Sequence, residues 1–278
     1  MADTDKTAIK VAILDLYDGH PNQGMRCFQD ILDKYRIQNQ LDLSYQVFDV
    51  RGSNHVPGSE FDIYISSGGP GSPLESEGSE WENNYFKLIH QIQQHNESDE
   101  PQKKHVLFIC HSFQLMCRHY GLGMVNKRNS PSFGILPIHQ TPEAQHDQVF
   151  AGMPDPFYAV DSRSWQVIQP NVERFKELGA TLLAIEKERP HVEYERCMMA
   201  IRFNEYFFGT QFHPEADPNG MRLRLLEPAK KEETISEHGE TKYNEMLERL
   251  NDPDKLMLTQ NTMIPNFLNQ ALLTFQEI

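Results

Sequence analysis

Two short stretches of the sequence carry residue types that could work together as a nucleophile and a general acid/base. The first is Cys110, which ends the apolar run Val106-Leu-Phe-Ile109 and is followed by a helix-like segment from Ser112. A thiol at the start of a helix lies near free backbone N–H groups and the positive end of the helix dipole, which favour the nucleophilic thiolate. The alternative is an inert cysteine buried in a core strand.

The second stretch is His213-Pro-Glu215, which also follows a predicted strand. Histidine can act as both general base and general acid. A carboxylate two residues further on can hold the imidazole in one tautomer and stabilise its cation. Cys110, His213 and Glu215 therefore predict a catalytic triad for acyl transfer from an amide.

A glycine-rich loop, Gly68-Gly-Pro-Gly-Ser-Pro73, follows another predicted strand. Glycine lets backbone N–H groups approach a ligand closely. We expect the N–H groups of Gly69 and His111 to form an oxyanion hole. A simple tight turn is the alternative, and no Gly-Lys-Ser/Thr follows that would indicate a phosphate-binding loop.

Alternating strands and helices position these groups. Apolar runs and helical spacing predict strands at residues 9–16, 41–50, 61–67 and 106–109 and helices at residues 25–35, 79–95 and 112–120. This alternation predicts an α/β fold with a mainly parallel sheet and helices on both faces. Ligand sites of such sheets form at the carboxyl ends of the strands. We therefore expect the glycine-rich loop and Cys110 to share one edge of the sheet.

The second half of the chain follows a different pattern. Short strands are predicted at residues 133–140, 157–162, 181–186, 197–203 and 206–212, with a more antiparallel arrangement, and helices at residues 245–250 and 263–275. We expect one domain over residues 8–217 and a helical extension over residues 218–278 that packs on it. The charged run at residues 230–242 is expected to be a solvated face.

Composition excludes several classes of function. The 278 residues carry a formal net charge of −14, which disfavours binding to nucleic acid or to an anionic membrane. No apolar run is long enough to span a membrane, and the first residues lack the features of a signal peptide, so we expect a cytoplasmic protein. Four cysteines without a CxxC pair indicate reduced thiols. His139, His146 and His191 lack metal-ligand spacing, so we expect no metal and no cofactor.

Taken together, the motifs resemble those of the class I, triad-type glutamine amidotransferases. The resemblance is strongest to the glutaminase domain of GMP synthase and to stand-alone relatives such as γ-glutamyl peptidases, and it spans residues 8–217. Four stretches carry it: Ser66-Ser-Gly-Gly-Pro-Gly-Ser-Pro73, Cys110-His-Ser-Phe-Gln114, Asp161-Ser-Arg-Ser-Trp165 and His213-Pro-Glu215. It implies a flavodoxin-like, mixed and mainly parallel sheet with a C-terminal helical extension.

The resemblance also implies roles for further residues. Gln114 would hydrogen-bond the glutamyl substrate, and Ser162, Arg163 and Ser164 would belong to the segment that binds its amino-acid end. The implied partners are glutamine or a γ-glutamyl compound and, because no stretch resembles a synthetase domain, a separate synthetase. An oligomer is left open.

Two positions depart from the family pattern. Glycine usually stands two residues before and two residues after the cysteine, whereas this chain has Phe108 and Ser112 there. Serine is small enough to fit, but the phenyl ring requires different packing. His111 is typical of a neighbouring Cys-His branch of the superfamily, while Gln114 and His213-Pro-Glu215 favour the amidotransferase branch.

Three functions are compatible with these residues. The first is a glutaminase-type amidotransferase that passes ammonia to a separate synthetase. The second is a stand-alone hydrolase of γ-glutamyl peptides or conjugates, and the third is a non-catalytic binding protein that keeps the fold.

Overall fold

A computed structural model describes residues 8–188 and 195–276, so His191 lies outside the described residues. The strands of this part are β1 Ile9–Asp15, β2 Leu43–Asp49, β3 Ile63–Ser66, β4 His105–Ile109, β5 Met124–Gln140, β6 Phe157–Ile168, β7 Thr181–Glu186, β8 Met198–Arg202 and β9 Phe207–Thr210. Its α-helices are α1 Gly24–Gln38, α2 Val50–Ser53, α3 Glu80–Glu97, α4 His111–Tyr120, α5 Val172–Leu178, α6 Pro218–Leu226, α7 Pro228–His238, α8 Glu240–Arg249 and α9 Leu256–Gln276.

The described strands form one mixed sheet in the order β2-β1-β3-β4-β9-β8-β7-β5-β6. Neighbours from β2 to β9 run parallel, and neighbours from β9 to β6 run antiparallel. The predicted α/β fold is confirmed, including the change of pattern after residue 120. Because β1, β3, β4 and β9 are parallel, their carboxyl ends meet at one edge of the sheet.

Helices cover both faces of the sheet, as predicted. On one face, apolar residues of α1 and α9 pack against the strands, as Phe28 and Phe267 do. On the other face, α3 and α4 supply residues such as Tyr85 and Phe113. Parallel strands covered on both sides must be apolar throughout, which explains the continuous burial of β3 and β4. No helix in the described ranges is long and apolar enough to cross a bilayer, and the cytoplasmic location stays a prediction.

The C-terminal extension contributes to this core. Met263, Ile264, Phe267 and Leu268 of α9 are buried in the same cluster as β1 and α1. A separate cluster joins Met221, Tyr243 and Met246 of α6 and α8 to the β5–β6 hairpin. The extension therefore packs on the sheet at two places, and the division at residue 217 stays a prediction.

Several features of the second half differ from expectation. Helix α5 lies where only turn signals, and no helix, were predicted. The hairpin strands β5 and β6 are longer than predicted. The outer part of β5 has no apolar alternation, so its sequence does not indicate a strand, and its pairing with β6 shifts register between Lys127 and Ser132. A polar, proline-containing stretch is tolerated there because β7 pairs only with the other end of β5. Helix α6 was not predicted, although Asp217, whose carboxylate accepts from the Gly220 N–H at 2.6 Å, is a recognisable N-cap before Pro218.

Candidate active site

Three loops from the carboxyl edge of the sheet converge on one point. The glycine-rich loop follows β3, Cys110 follows β4, and His213 follows β9. A Cβ atom placed on Gly68 would lie 3.4 Å from the Cys110 Cβ and only 2.8 Å from the His213 Cε1. Glycine at position 68 therefore lets the loop approach the cysteine and the histidine together.

Cys110 sits on a sharp turn between β4 and α4. Its φ of 51° and ψ of −95° lie in a region that residues with a side chain rarely adopt. This strain turns the thiol toward the site at the start of the helix, as in a nucleophile elbow. The Ser112 hydroxyl accepts from the Ile109 N–H at 2.7 Å and donates to the Ser66 carbonyl at 2.8 Å. Ser112 is therefore not only small enough for this position; its hydroxyl also links the turn after β4 to β3 through these hydrogen bonds.

Phe108 packs among aromatic rings beside a glycine of the neighbouring strand. Its ring is buried and lies 5.7 Å from the ring centres of Phe203 and Phe207. Gly209 of β9 pairs with Phe108 in register, and a Cβ there would lie 2.8 Å from Phe203 and 3.0 Å from Phe113. Gly209 therefore leaves room for the rings of Phe203 and Phe113, of which Phe203 packs against Phe108.

His213 is held from two sides. Its Nδ1 is 2.8 Å from the Glu215 Oε1, and its backbone N–H donates to the Val160 carbonyl of β6 at 2.8 Å. Burial by itself lowers the pKa of His213, but the charges of Glu215 and Cys110 and hydrogen bonds to both raise it well above the ordinary value. The geometry therefore favours a cationic imidazole beside the cysteine.

Glu215 is anchored by the last helix. Its backbone carbonyl accepts from the Gln260 side chain of α9 at 2.9 Å. Its Oε2 is buried and has no hydrogen-bond partner among the described residues. The Tyr17 hydroxyl lies nearby, since a Cβ on Gly24 would be 2.9 Å from it and 3.4 Å from the Glu215 Oε1. Burial raises the pKa of Tyr17 well above its usual value, and the charges of Glu215 and Cys110 add to this, so the phenol stays neutral.

The glycine-rich loop is fixed from behind by cationic side chains. The Arg51 guanidinium donates to the Pro70 carbonyl at 2.6 Å, and Arg118 donates to the Pro73 carbonyl. A Cβ on Gly69 would lie 2.3 Å from the Leu16 carbonyl oxygen, so only glycine fits there. Gly69 lines the cavity at Cys110. The role of its N–H in an oxyanion hole stays a prediction.

The side chain of His111 has no part in this arrangement. Its ring is buried, and burial together with Arg51 and Arg118 lowers its pKa to about 3, so the imidazole is neutral. The backbone N–H opens α4, where the first N–H groups have no carbonyl within the helix. The predicted role of His111 therefore depends on its backbone alone.

A cavity of about 490 Å³ opens over Cys110. Its lining comes from the glycine-rich loop, Gln114, the paired strands β5 and β6, and α7. The lining residues include Gly69, Gly71, Glu75, Gln114, Lys127, Phe133, Ser162, Arg163, Ser164, Trp165, Lys230 and Glu233. Residues 230–242 were expected to be a solvated face; at their first turn Lys230, which is half-buried, and Glu233, which is exposed, line this cavity.

The predicted substrate residues on β6 alternate between two faces. Ser162 and Ser164 are exposed at the cavity, whereas Arg163 is buried. The Arg163 guanidinium donates to Asp161 at 2.8 Å and pairs with Glu186 at 3.4 Å on the far side of the strand. Strand alternation thus leaves only the backbone of Arg163 to face a substrate. The binding roles of all three residues stay predictions.

Gln114 lies at the back of the cavity and is already engaged. Its Nε2 donates to the Trp165 carbonyl at 3.3 Å and to the Gln211 Oε1 at 3.1 Å. Any hydrogen bond from Gln114 to a substrate would therefore use its carbonyl oxygen as an acceptor.

Sequence reasoning missed three participants at this site. Gln211 contacts the thiol, and its signal was its place near the end of the predicted strand 206–212, two residues before His213. Tyr17 follows β1 at the carboxyl edge of the sheet, which is a usable signal. Helix α7 carried no such signal, because its approach to the cavity depends on the packing of the whole extension.

Comparison with known proteins decides the family. The glutamine amidotransferase class-I family model matches residues 32–230. The chain belongs to this family. No curated protein matches its sequence.

Solved structures share the amidotransferase fold. A glutamine amidotransferase from Thermotoga maritima superposes with a TM-score of 0.67 at 17% identity, over 95% of this chain and 98% of that one. A glutamine amidotransferase from Methylobacillus flagellatus gives 0.62 at 15% identity, over 96% and 94%. The glutaminase domain of Trypanosoma brucei CTPS with bound acivicin gives 0.55 at 12% identity, over 75% and 86%. At these identities the likeness concerns the fold.

The described ranges hold no cluster of three or more His, Cys, Asp or Glu side chains suited to a metal ion. The expected absence of a cofactor stays a prediction. The four cysteines are buried and unpaired, as expected for reduced thiols.

Proposed function

We propose that this chain hydrolyses the side-chain amide of glutamine through a γ-glutamyl thioester on Cys110 and delivers the ammonia to a separate synthetase. The observation that carries the proposal is the convergence of Cys110 with the His213–Glu215 pair beside the glycine-rich loop. Family membership supports it independently.

The reaction begins with a thiolate beside a cationic imidazole. The Cys110 Sγ bonds to the amide carbon, and the N–H groups of Gly69 and His111 bind the oxyanion. The His213 cation gives its proton to the amide nitrogen, which leaves as ammonia as the C–N bond breaks. A thioester and a neutral imidazole remain.

Water then completes the cycle. His213 takes a proton from the water molecule as its oxygen bonds to the thioester carbon. Collapse of the second tetrahedral intermediate expels the Cys110 thiolate and releases glutamate. Glu215 holds the imidazole orientation through both steps. No metal or other cofactor is required.

Labelling of Cys110 tests this proposal most directly. A chloroketone analogue of glutamine should add the mass of one bound label to each chain, and Cys110→Ser should abolish the adduct. Glutamate release should then be measured from glutamine with and without candidate synthetases. Labelling without turnover in any pairing would favour a non-catalytic binding protein, and absence of labelling would contradict the proposal.

A second candidate function is hydrolysis of larger γ-glutamyl amides without a partner. The observation that favours it is that α7, a segment of this chain, supplies Lys230 and Glu233 to the cavity wall. The chain thereby encloses space beyond the reacting amide. A panel of γ-glutamyl peptides and amines separates the two candidates, because release of glutamate from free glutamine alone would exclude the second.

A further inference from the structure

Gln211 lies directly behind the proposed nucleophile. It follows β9, is fully buried, and is fixed by its backbone N–H, which donates to the Met199 carbonyl at 2.8 Å. Its side chain reaches from Gln114 to the sulfur, with Nε2 at 3.7 Å from the Cys110 Sγ.

The hydrogen-bond chain determines which end of the Gln211 amide faces the sulfur. The Trp165 carbonyl can only accept, so the Gln114 group beside it must be the NH₂. The same NH₂ lies 3.1 Å from the Gln211 side chain, which must therefore present its oxygen there. The Gln211 NH₂ then points at Cys110. The Trp165 carbonyl, which can only accept, therefore fixes the orientation of the Gln114 amide and, through it, of the Gln211 amide.

We propose that Gln211 is a catalytic residue whose amide N–H, oriented by Gln114, stabilises the Cys110 thiolate. A hydrogen bond is stronger when one partner is ionised, and this one lies in a buried setting with little competing water. The proposal rests on Cys110 being the nucleophile of the proposed function.

The contact of the sulfur with Ser162 has the opposite preference. The thiol donates to the Ser162 carbonyl at 3.8 Å, a contact that is lost once the proton leaves. Gln211 therefore supplies the donor that favours the ionised form. The charged and titratable groups facing the thiol are His213 and, beyond it, Glu215 and Tyr17.

The charged residues Lys127, Lys230, Glu75 and Glu233 also line the cavity that opens at Cys110. A substitution of the uncharged Gln211 alters none of these groups. Its effect on the thiolate can therefore be assigned to the missing N–H donor.

The test is the rate of Cys110 alkylation by iodoacetamide between pH 4 and pH 10, which needs no glutamine. Gln211→Met removes the donor at similar length. We expect the midpoint of the rate profile to rise by about one pH unit, the scale of one hydrogen bond to an ionised group, while the plateau rate stays within about twofold. A Cys110→Ser background corrects for the three other cysteines.

Gln114→Met provides the second variant and remains informative if Gln211→Met fails to fold. It leaves the Gln211 donor present but unoriented, so a smaller rise is expected. The double variant should match Gln211→Met alone, because Gln114 acts through Gln211. An unchanged midpoint in the folded variants, or an equal loss of rate at every pH, would overturn the proposal. Because alkylation is independent of turnover, a chain without glutaminase activity would still show the shift.

Discussion

The Lys230 Nζ lies 4.2 Å from the centre of the Phe133 ring. Phe133 is on β5 and Lys230 is on α7, and both line the cavity over Cys110. The contact therefore fastens α7, a helix of the C-terminal extension, to the β5–β6 hairpin at the wall of the cavity.

Removal of this contact should alter substrate selectivity. In Lys230→Met the aliphatic stem is retained but the cation–π contact, worth about 0.5–2 kcal/mol, is lost. We expect the ratio of kcat/KM for a bulky γ-glutamyl amide to that for glutamine to change by at least about threefold. Lys231→Met is the matched control, because Lys231 lies over Tyr243, away from the cavity. An equal effect of both variants would contradict this prediction.

Glu215→Gln should reduce activity and move its pH dependence. Glu215 raises the pKa of His213, so the imidazolium persists above the ordinary pKa of about 6.5 and is lost as pH rises through the raised value. Without the carboxylate this loss occurs at lower pH. We expect kcat to fall by about 10² or more and the alkaline limit of kcat/KM to move down. Glu177→Gln, which breaks an exposed pair with Arg174, should leave both unchanged.

The same pair makes a pH-dependent contribution to stability. Because the folded-state pKa of His213 is raised, its stabilisation is fully present below about pH 6.5 and is lost as pH rises through the folded value. Urea unfolding should therefore show a larger deficit for His213→Gln at pH 6 than at pH 9. A deficit that grows with pH would have the wrong sign.

Gly68→Ala should impair catalysis with little loss of stability. The new methyl group would lie 2.8 Å from the His213 Cε1 and displace the imidazole from Cys110. We expect kcat to fall by about 10² while the thermal midpoint changes by only a few degrees. Gly78→Ala is the contrasting control, because its φ of +79° costs stability at a place with no neighbour within 4 Å. Full activity of Gly68→Ala would show that the histidine can move without consequence.

Gly209→Ala should destabilise the sheet beneath the Cys110 turn. Its Cβ would lie 2.8 Å from Phe203 and 3.0 Å from Phe113, and overpacking of this kind costs about 1–3 kcal/mol. Phe203→Leu should recover part of that loss when combined with it. Urea unfolding of the two single variants and the double variant measures this coupling, and simple additivity would argue against the contact.

Helix α9 should be required for the stability of the whole domain. Phe267 is fully buried in the cluster shared with α1 and β1, so Phe267→Ala should lower the free energy of unfolding by about 3–5 kcal/mol. Leu273→Ala on the same helix is the control, since that side chain is 50% exposed and should cost no more than about 0.5 kcal/mol. Similar costs for both would indicate that α9 is only loosely attached.

Local patterns in the sequence were sufficient for the fold class and for the residues proposed to react. Apolar runs ending at Cys110 and at the glycine-rich loop predicted strands whose carboxyl ends meet, because parallel strands place those ends at one edge. The strand and turn before His213-Pro-Glu215 could be predicted from the local sequence in the same way. These signals are short-range, and each is contained within about ten residues.

Tertiary structure alone decided how those residues are supported. Phe108 pairs with Gly209 and packs against Phe203, both far along the chain, through strand register and packing rather than local sequence. Gln211 contacts Cys110 directly, and its amide is oriented by Gln114 and the backbone carbonyl of Trp165, which come from other segments of the chain. Helix α7 reaches the cavity because α6 and α8 pack on the hairpin. Such contacts depend on pairing and packing between distant segments, and no spacing within one segment encodes them.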